Sequence, residues 1–230
     1  MIKAIHIAPT SLVKYVDEHY NKGLNMVLTH LVLEDEEYRK AFKEIEGEKY
    51  LDNSFFELGY ALPPEDILAA AKLVDATVLI CPDGTMAGME DFLSQGYKVM
   101  CIPKSPEQFV DFLTNPLIDY VGVSEEHLAY RHNSGARYEL FEKYLKEGMP
   151  KKKIHLLGAT NSIWELGMLS PFSEFIYSWD SSACIWQGHL GNLLRTQQRK
   201  ECKEVDFKAD VKFNLFMESN INFVGELLSL

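Results

Sequence analysis

No stretch of this chain is apolar for anything near the roughly 20 residues a membrane span requires. Runs such as Thr77–Cys81 and Val27–Leu33 stop well short, and Met1-Ile2-Lys3-Ala4 opens directly into a strand pattern. Neither an anchor nor an export signal is therefore expected. Cations are scarce: 23 Lys and Arg against 34 Asp and Glu leave a formal net charge of −11. That balance removes any general attraction to phosphate backbones or anionic lipid, so a nucleic-acid contact would have to be local. Cysteine is scarce as well. Cys81, Cys101, Cys184 and Cys202 form no Cys-x-x-Cys pair, and two of them lie in apolar strand-like runs. Reduced core thiols and a cytoplasmic location follow as expectations. The glycine-rich dinucleotide turn is missing, because the first strand pattern runs into Ala8-Pro9-Thr10-Ser11. No linker rich in Gly, Ser or Pro divides the chain, which reads as one domain over residues 1–230.

A hydrophobic content of 47% over 230 residues supports a sizeable core. Eight β-rich runs recur near Ala4–Ala8, Met26–Leu33, Tyr50–Asp52, Thr77–Cys81, Lys98–Ile102, Tyr120–Val123, Ile154–Leu157 and Phe175–Trp179. Their starts lie roughly 20 to 35 residues apart, the length of a βαβ unit. Helical spacing fills the gaps at Leu12–Tyr20, Glu36–Glu46, Pro64–Val74, Met86–Ser94, Pro106–Leu113, Ala136–Glu147 and Ser162–Leu169, with a last helix after Leu190. Pro64-Glu65-Asp66 and Ser105-Pro106-Glu107 carry helix-start chemistry. Eight strands and eight helices fit a compact (β/α)8 TIM barrel or an open doubly wound sheet, and the count favours the barrel.

A barrel builds its site from the C-terminal ends of its strands. Read that way, the chain offers Thr10, His30, Asp52, Asn53, Glu57, Asp83, Lys104, Ser105, Ser124, Glu125, Gly158, Thr160, Asp180, Ser181 and Ser182 as one ring dominated by carboxylates. Asp52 and Asp180 stand out. Each follows a strongly apolar or aromatic strand and precedes a small polar residue, so each is expected to be semi-buried at a mouth lined by Phe55, Phe56 and Trp179. Two carboxylates on one cavity suit glycosidic chemistry, one meeting the anomeric carbon and the other moving the proton. The aromatics would stack a base or sugar. The structural alternative makes Asp52 a cap for the loop before the Pro64 helix and Asp180 a cap of its own turn.

At these segments the sequence resembles the tRNA-guanine transglycosylase superfamily, and looks closest to its phage and bacterial branch, which inserts 7-deazaguanine bases into DNA. Leu51-Asp52-Asn53-Ser54-Phe55-Phe56-Glu57 is similar to the family's Asp-Ser-Gly-Gly-Phe segment. Ile154-His155-Leu156-Leu157-Gly158-Ala159-Thr160 looks like its strand 7 motif, and Phe175–Ser181 falls where the family places its nucleophilic aspartate. The resemblance implies a transferase with Asp180 attacking C1′ of a guanosine to displace guanine, Asp52 as acid and base, and Asp83, Asn53, Phe55, Phe56, Glu57, His30, Gly158 and Trp179 around the base. The implied partners are guanine or a 7-deazaguanine, DNA or less readily tRNA, and a second copy or a partner subunit.

The departures are equally concrete. The family's structural zinc site has three closely spaced cysteines and a histidine, whereas here Cys184, His189 and Cys202 are scattered, so no metal and no cofactor is expected. Glycines of the strand 3 motif are replaced by Asn53-Ser54-Phe55, and Pro103-Lys104-Ser105 stands in place of Gln-Gly after strand 5. Cations gather at Lys151-Lys152-Lys153 and at Arg195, Arg199, Lys200 and Lys203. If both clusters flank the mouth they can hold a phosphate backbone, with the target base flipped into the pocket; otherwise they are solvated helix ends. Two alternatives share the residues: a nucleoside or nucleotide glycosidase acting on small molecules, and a non-catalytic base-binding barrel.

Overall fold

A computed structural model describes residues 2–124, 135–145, 150, 152–158, 163–196 and 205–230. Eight parallel strands alternate with helices in a nearly closed (β/α)8 barrel, in the order β1-β8-β7-β6-β5-β4-β3-β2. The strands are β1 (Lys3–His6), β2 (Leu24–Leu28), β3 (Glu48–Asp52), β4 (Val78–Ile80), β5 (Lys98–Cys101), β6 (Tyr120–Ser124), β7 (Lys153–Leu157) and β8 (Ile176–Ser181). The helices, in chain order, are α1 (Val13–Val16), α2 (Thr29–Glu34), α3 (Glu36–Lys43), α4 (Phe55–Leu58), α5 (Pro64–Val74), α6 (Met89–Ser94), α7 (Pro106–Thr114), α8 (Ala136–Tyr144), α9 (Glu165–Met168), α10 (Ala183–His189) and α11 (Leu215–Leu227).

The start signals read from the sequence do their work. Pro64 opens α5, where its missing N–H costs nothing, and Ser105 caps α7 by accepting the N–H of Gln108 at 3.2 Å. One expectation fails at β2. The apolar run Met26–Leu33 is not all strand: β2 ends at Leu28, and Thr29–Glu34 turns into α2. A continuous apolar run has no period, so it cannot tell a buried strand from a buried helix. Tyr38 marks the change, its hydroxyl oxygen accepting the Leu28 N–H at 3.0 Å. A second difference lies at the C-terminal end, where α10 starts immediately after β8, ahead of the final helix α11.

Two hydrophobic layers form on the two faces of the sheet. Ile5, Met26, Tyr50, Val78, Ile80, Met100 and Tyr120 fill the barrel interior, and a larger cluster packs the outer face against the helices. The interior is a packed core rather than a pore. Gly122 belongs to it, because a Cβ there would stand 3.0 Å from Ile102 and 3.1 Å from the Met100 sulfur. Among the described residues, no helix is long and apolar enough to cross a membrane.

The seam between β1 and β2 is closed by side chains. Asn21 Oδ1 accepts the His6 N–H at 2.8 Å, while its Nδ2 donates to the His6 carbonyl at 3.1 Å and to Asn25 Oδ1 at 3.0 Å. Asn25 in turn donates to Asp17 Oδ1 at 2.6 Å. One amide thus replaces a rung of the ladder, in a place where bare strand edges would be buried without partners. Asn21→Ala removes these bonds and leaves His6 groups unsatisfied. A loss of about 2–3 kcal/mol is expected, measurable in chemical denaturation.

Candidate active site

Along β8, side chains alternate between the two faces of the sheet. Ser178 and Asp180 point inward and Trp179 points outward into the helix layer, where it is fully buried. Its Nε1 donates to the Gly158 carbonyl at 2.9 Å and its ring lies edge-on to His6 at 6.1 Å. Trp179 therefore cannot stack a base at the mouth, contrary to expectation; it braces the turn after β7 from behind.

Asp180 is nearly buried at the C-terminal end of the barrel. Its Oδ1 meets His155 Nε2 at 3.0 Å and accepts the Gly158 N–H at 3.4 Å. Gly158 adopts φ +66°, a conformation natural to glycine, which aims that N–H inward. His155 is fully buried, with Nδ1 2.8 Å from Ser178 Oγ and Tyr50 packed edge-on at 5.5 Å. Sequence reading passed over His155 as part of a strand motif. Its position two residues before Leu157, on the same face, is a signal only once the inward face of β7 is known.

Asp52 ends β3 at the same end of the barrel. Its Oδ2 accepts the Ser54 N–H at 2.8 Å, and its carbonyl takes a short hydrogen bond from the Thr29 hydroxyl. Burial holds the Asp52 carboxyl well above the usual carboxylate range; the Glu57 charge and then those of Asp180 and Asp83 push the same way, against the Ser54 hydrogen bond. Glu57, on the single turn α4, is pushed up to about 7, by the protein mass around it first and by the Asp180 charge second.

Asp83 is the hub of a different network. Asn53 Nδ2 donates to its Oδ1 at 2.7 Å and also to the Cys81 carbonyl at 2.8 Å, while Lys104 Nζ sits 2.6 Å from its Oδ2. Lys104 also lies 4.4 Å above the Phe55 ring. Asn53 and Asp83 thus hold the β3 and β4 ends together and present Lys104, instead of standing free for a base. Phe56 is 72% exposed. His30 lies on α2, not within a strand. Its ring Nδ1 and its backbone N–H both meet Ser54 Oγ, at 2.9 and 3.1 Å, which anchors the left-handed Ser54 (φ 60°). Burial lowers the His30 imidazole below its ordinary range.

The two described lysines of the first expected cationic cluster do not flank the mouth. Lys152 turns its ammonium into the protein, donating to the Ile118 carbonyl at 2.5 Å and, at shorter range, to that of Asn115. Lys153 begins β7, so it lies at the N-terminal end of the barrel, 4.3 Å over Tyr177 and 3.1 Å from the Tyr120 hydroxyl. That is the end opposite Asp52 and Asp180, so neither lysine can hold a phosphate beside them. Arg195 pairs with Glu226 at 2.5 Å. Lys151, Arg199, Lys200 and Lys203, like Glu125 and Thr160 of the expected ring, lie outside the described residues.

No three described His, Cys, Asp or Glu side chains converge as a metal group. Cys184 is buried with its thiol 3.7 Å from the Asn220 carbonyl, His189 packs on Trp186 at 5.1 Å, and Cys202 lies outside the described residues. Cavities of about 230 and 370 Å³ lie elsewhere, the first between Gly84 and Asn115 beside α7 and the second between Arg195 and α11.

No family model and no curated protein matches the chain. Among solved structures it is similar to the YdjI aldolase from Escherichia coli K12, with a TM-score of 0.55 and 12% identity over 99% of this chain and 88% of that one. An enolase from the environmental genome shotgun sequencing of the Sargasso Sea aligns over 78% of this chain and 54% of that one, at 9% identity and a TM-score of 0.47. At such identities the first likeness establishes the barrel fold and nothing about chemistry, and the second carries no argument.

Proposed function

We propose that the chain is a glycosyl-transfer enzyme that exchanges the base of a guanine nucleotide, with a 7-deazaguanine as incoming base and DNA, ahead of tRNA, as acceptor. One observation carries this reading: Asp52 and Asp180 share the C-terminal end of the barrel in opposed environments. Asp52 is held toward its protonated form, while Asp180 is hydrogen-bonded as an acceptor. A carboxyl held protonated can carry the proton while its neighbour, fixed by hydrogen bonds at Oδ1, meets the sugar carbon. In the first step an Asp180 oxygen forms a bond to C1′ as the bond from C1′ to the purine breaks, and the leaving purine takes the Asp52 proton. In the second, a ring nitrogen of the incoming base attacks C1′, its proton passes to Asp52, and the Asp180 ester bond breaks. Asp52 is then protonated again and Asp180 ionised, so the cycle closes. The sequence resemblance supports the identity of the bases.

A second reading keeps both steps but uses a free nucleoside or nucleotide. It is favoured by the charge at the mouth, where the carboxylates Asp52, Glu57, Asp83 and Asp180 outnumber the described cations, Lys104 on Asp83 and Lys208 near His30, and by the placement of Lys152 and Lys153 at the far end. Incubating the protein with labelled guanine and separate pools of DNA, tRNA and GMP distinguishes them. Label entering DNA is expected; label in GMP alone selects the small-molecule enzyme, and label in no pool removes base exchange.

The exchange rate should fall at pH values above those at which the raised Asp52 carboxyl keeps its proton, because the acid that protonates the leaving base is then lost. Glu57→Gln removes a negative neighbour, so Asp52 gives up its proton more easily and the alkaline limb moves to lower pH. Stability follows the same sign. A carboxyl raised in the folded state favours folding most below its unfolded value of about 4.5 and loses that contribution as pH climbs toward about 7. Urea melts of Glu57→Gln should therefore show a flatter loss between those values than the parent.

A further inference from the structure

We propose that His155 is the positioning residue of Asp180, fixing Oδ1 so that Oδ2 is the oxygen presented at the mouth. The geometry is asymmetric. Oδ1 holds both His155 Nε2 at 3.0 Å and the Gly158 N–H at 3.4 Å, while no described group hydrogen-bonds Oδ2. An ionised carboxylate only accepts, so Nε2 must carry a proton toward it, and Nδ1 is left to Ser178 Oγ at 2.8 Å. Both ring nitrogens are therefore committed, and the Tyr50 ring at 84° to the imidazole fixes its plane.

The rest of this layer argues for a polar task. The barrel interior is mostly apolar, with Ile5, Val78, Ile80 and Met100 beside the tyrosines Tyr50 and Tyr120, and a fully buried imidazole in it needs its polar atoms matched. A packing role alone would be filled by another apolar side chain. His155 and Ser178 pair across the β7–β8 register, next to a register shift between Ile154 and His155. The sequence Asp180, His155, Ser178 is thus a carboxylate, an imidazole and a hydroxyl in a line running from the mouth into the barrel, in which each group orients the one before it. Which reaction this serves rests on the base-exchange reading; the pinning of Asp180 does not.

The experiment has one arm for each. In protein labelled with 15N-histidine, NMR of the full chain should show a proton on His155 Nε2, assigned by its absence in His155→Phe. In Asp180→Ala that N–H signal should move upfield because its acceptor is gone. An unprotonated Nε2, or an N–H signal indifferent to Asp180→Ala, overturns the proposal whether or not the protein is active. In the exchange assay, His155→Phe keeps the ring's shape without a donor and should lower kcat about 100-fold with KM within about threefold. His155→Gln, which restores an N–H at similar reach, should recover most of that loss. Ser178→Ala leaves Asp180 untouched and should cost about tenfold, which keeps the kinetic arm alive if His155→Phe folds poorly. An unchanged kcat in both His155→Phe and Ser178→Ala defeats the proposal and leaves base exchange standing; a parent that exchanges nothing defeats base exchange while the NMR arm still decides on His155.

Discussion

Replacing Asp180 by Asn should lower base exchange by at least about 10³-fold while leaving the thermal midpoint within a few degrees of the parent. The size follows from removing the nucleophile of a two-step transfer, where the remaining groups supply only binding and orientation. Stability is spared because the Asn side-chain oxygen still accepts from His155 Nε2 and the Gly158 N–H. Asp180→Ala should be equally inactive yet less stable. It leaves the buried imidazole with an unmatched donor, at a cost of about 1–3 kcal/mol, or roughly 2–4 °C in midpoint for each kcal/mol in a chain of this size. Turnover and melting should be measured on both variants. Retained turnover in Asp180→Asn rejects the nucleophile, and equal melting of the two variants rejects the His155 contact.

The largest loss of stability should come from Arg137, a residue that touches no substrate. Arg137 and Glu165 form an ion pair in which both side chains are fully buried, with Arg137 Nη2 2.5 Å from Glu165 Oε2 and Nε 3.1 Å from both carboxylate oxygens. The remaining guanidinium hydrogens reach the carbonyls of Leu157 at 3.2 Å and of Val123 and Gly158 at 3.4 Å. One side chain on α8 thereby ties α9 to the ends of β6 and β7 and backs the turn whose N–H touches Asp180. Arg137→Met takes the guanidinium away from the fully buried Glu165 carboxylate, for an expected cost of about 3–5 kcal/mol and a midpoint drop on the order of 10 °C. Adding Glu165→Leu should return a good part of that loss, because two apolar side chains need no partner. If the single variant melts like the parent, the pair is not the brace described. If the double variant melts no higher than the single, the Glu165 charge is not the cause.

The barrel was legible because it repeats. Strand starts spaced to fit βαβ units, helix starts at Pro64 and Ser105-Pro106, and the lack of a dinucleotide turn are local properties, and all describe what the structure contains. Asp52 and Asp180 were legible for a related reason, since a residue at the end of a barrel strand sits at the mouth regardless of what else the fold does. Where the chain gave no period, reading failed: the run through Leu33 bends into α2 because an unbroken apolar stretch satisfies a helix and a strand equally well.

What the sequence by itself determined is the alternation of elements and the two acids that the alternation carries to one end. Only the tertiary structure decided which face of each strand looks inward. Parallel strands covered on both faces are apolar on both, so their sequence holds no in-or-out signal, and a one-residue change of parity exchanges Trp179 with its neighbours. That choice sends Trp179 into the helix layer and places His155, from another strand, against Asp180. The Arg137–Glu165 brace and the inward turn of Lys152 have the same origin, because each depends on contacts between segments that are distant in the chain and brought together only by the closing of the sheet.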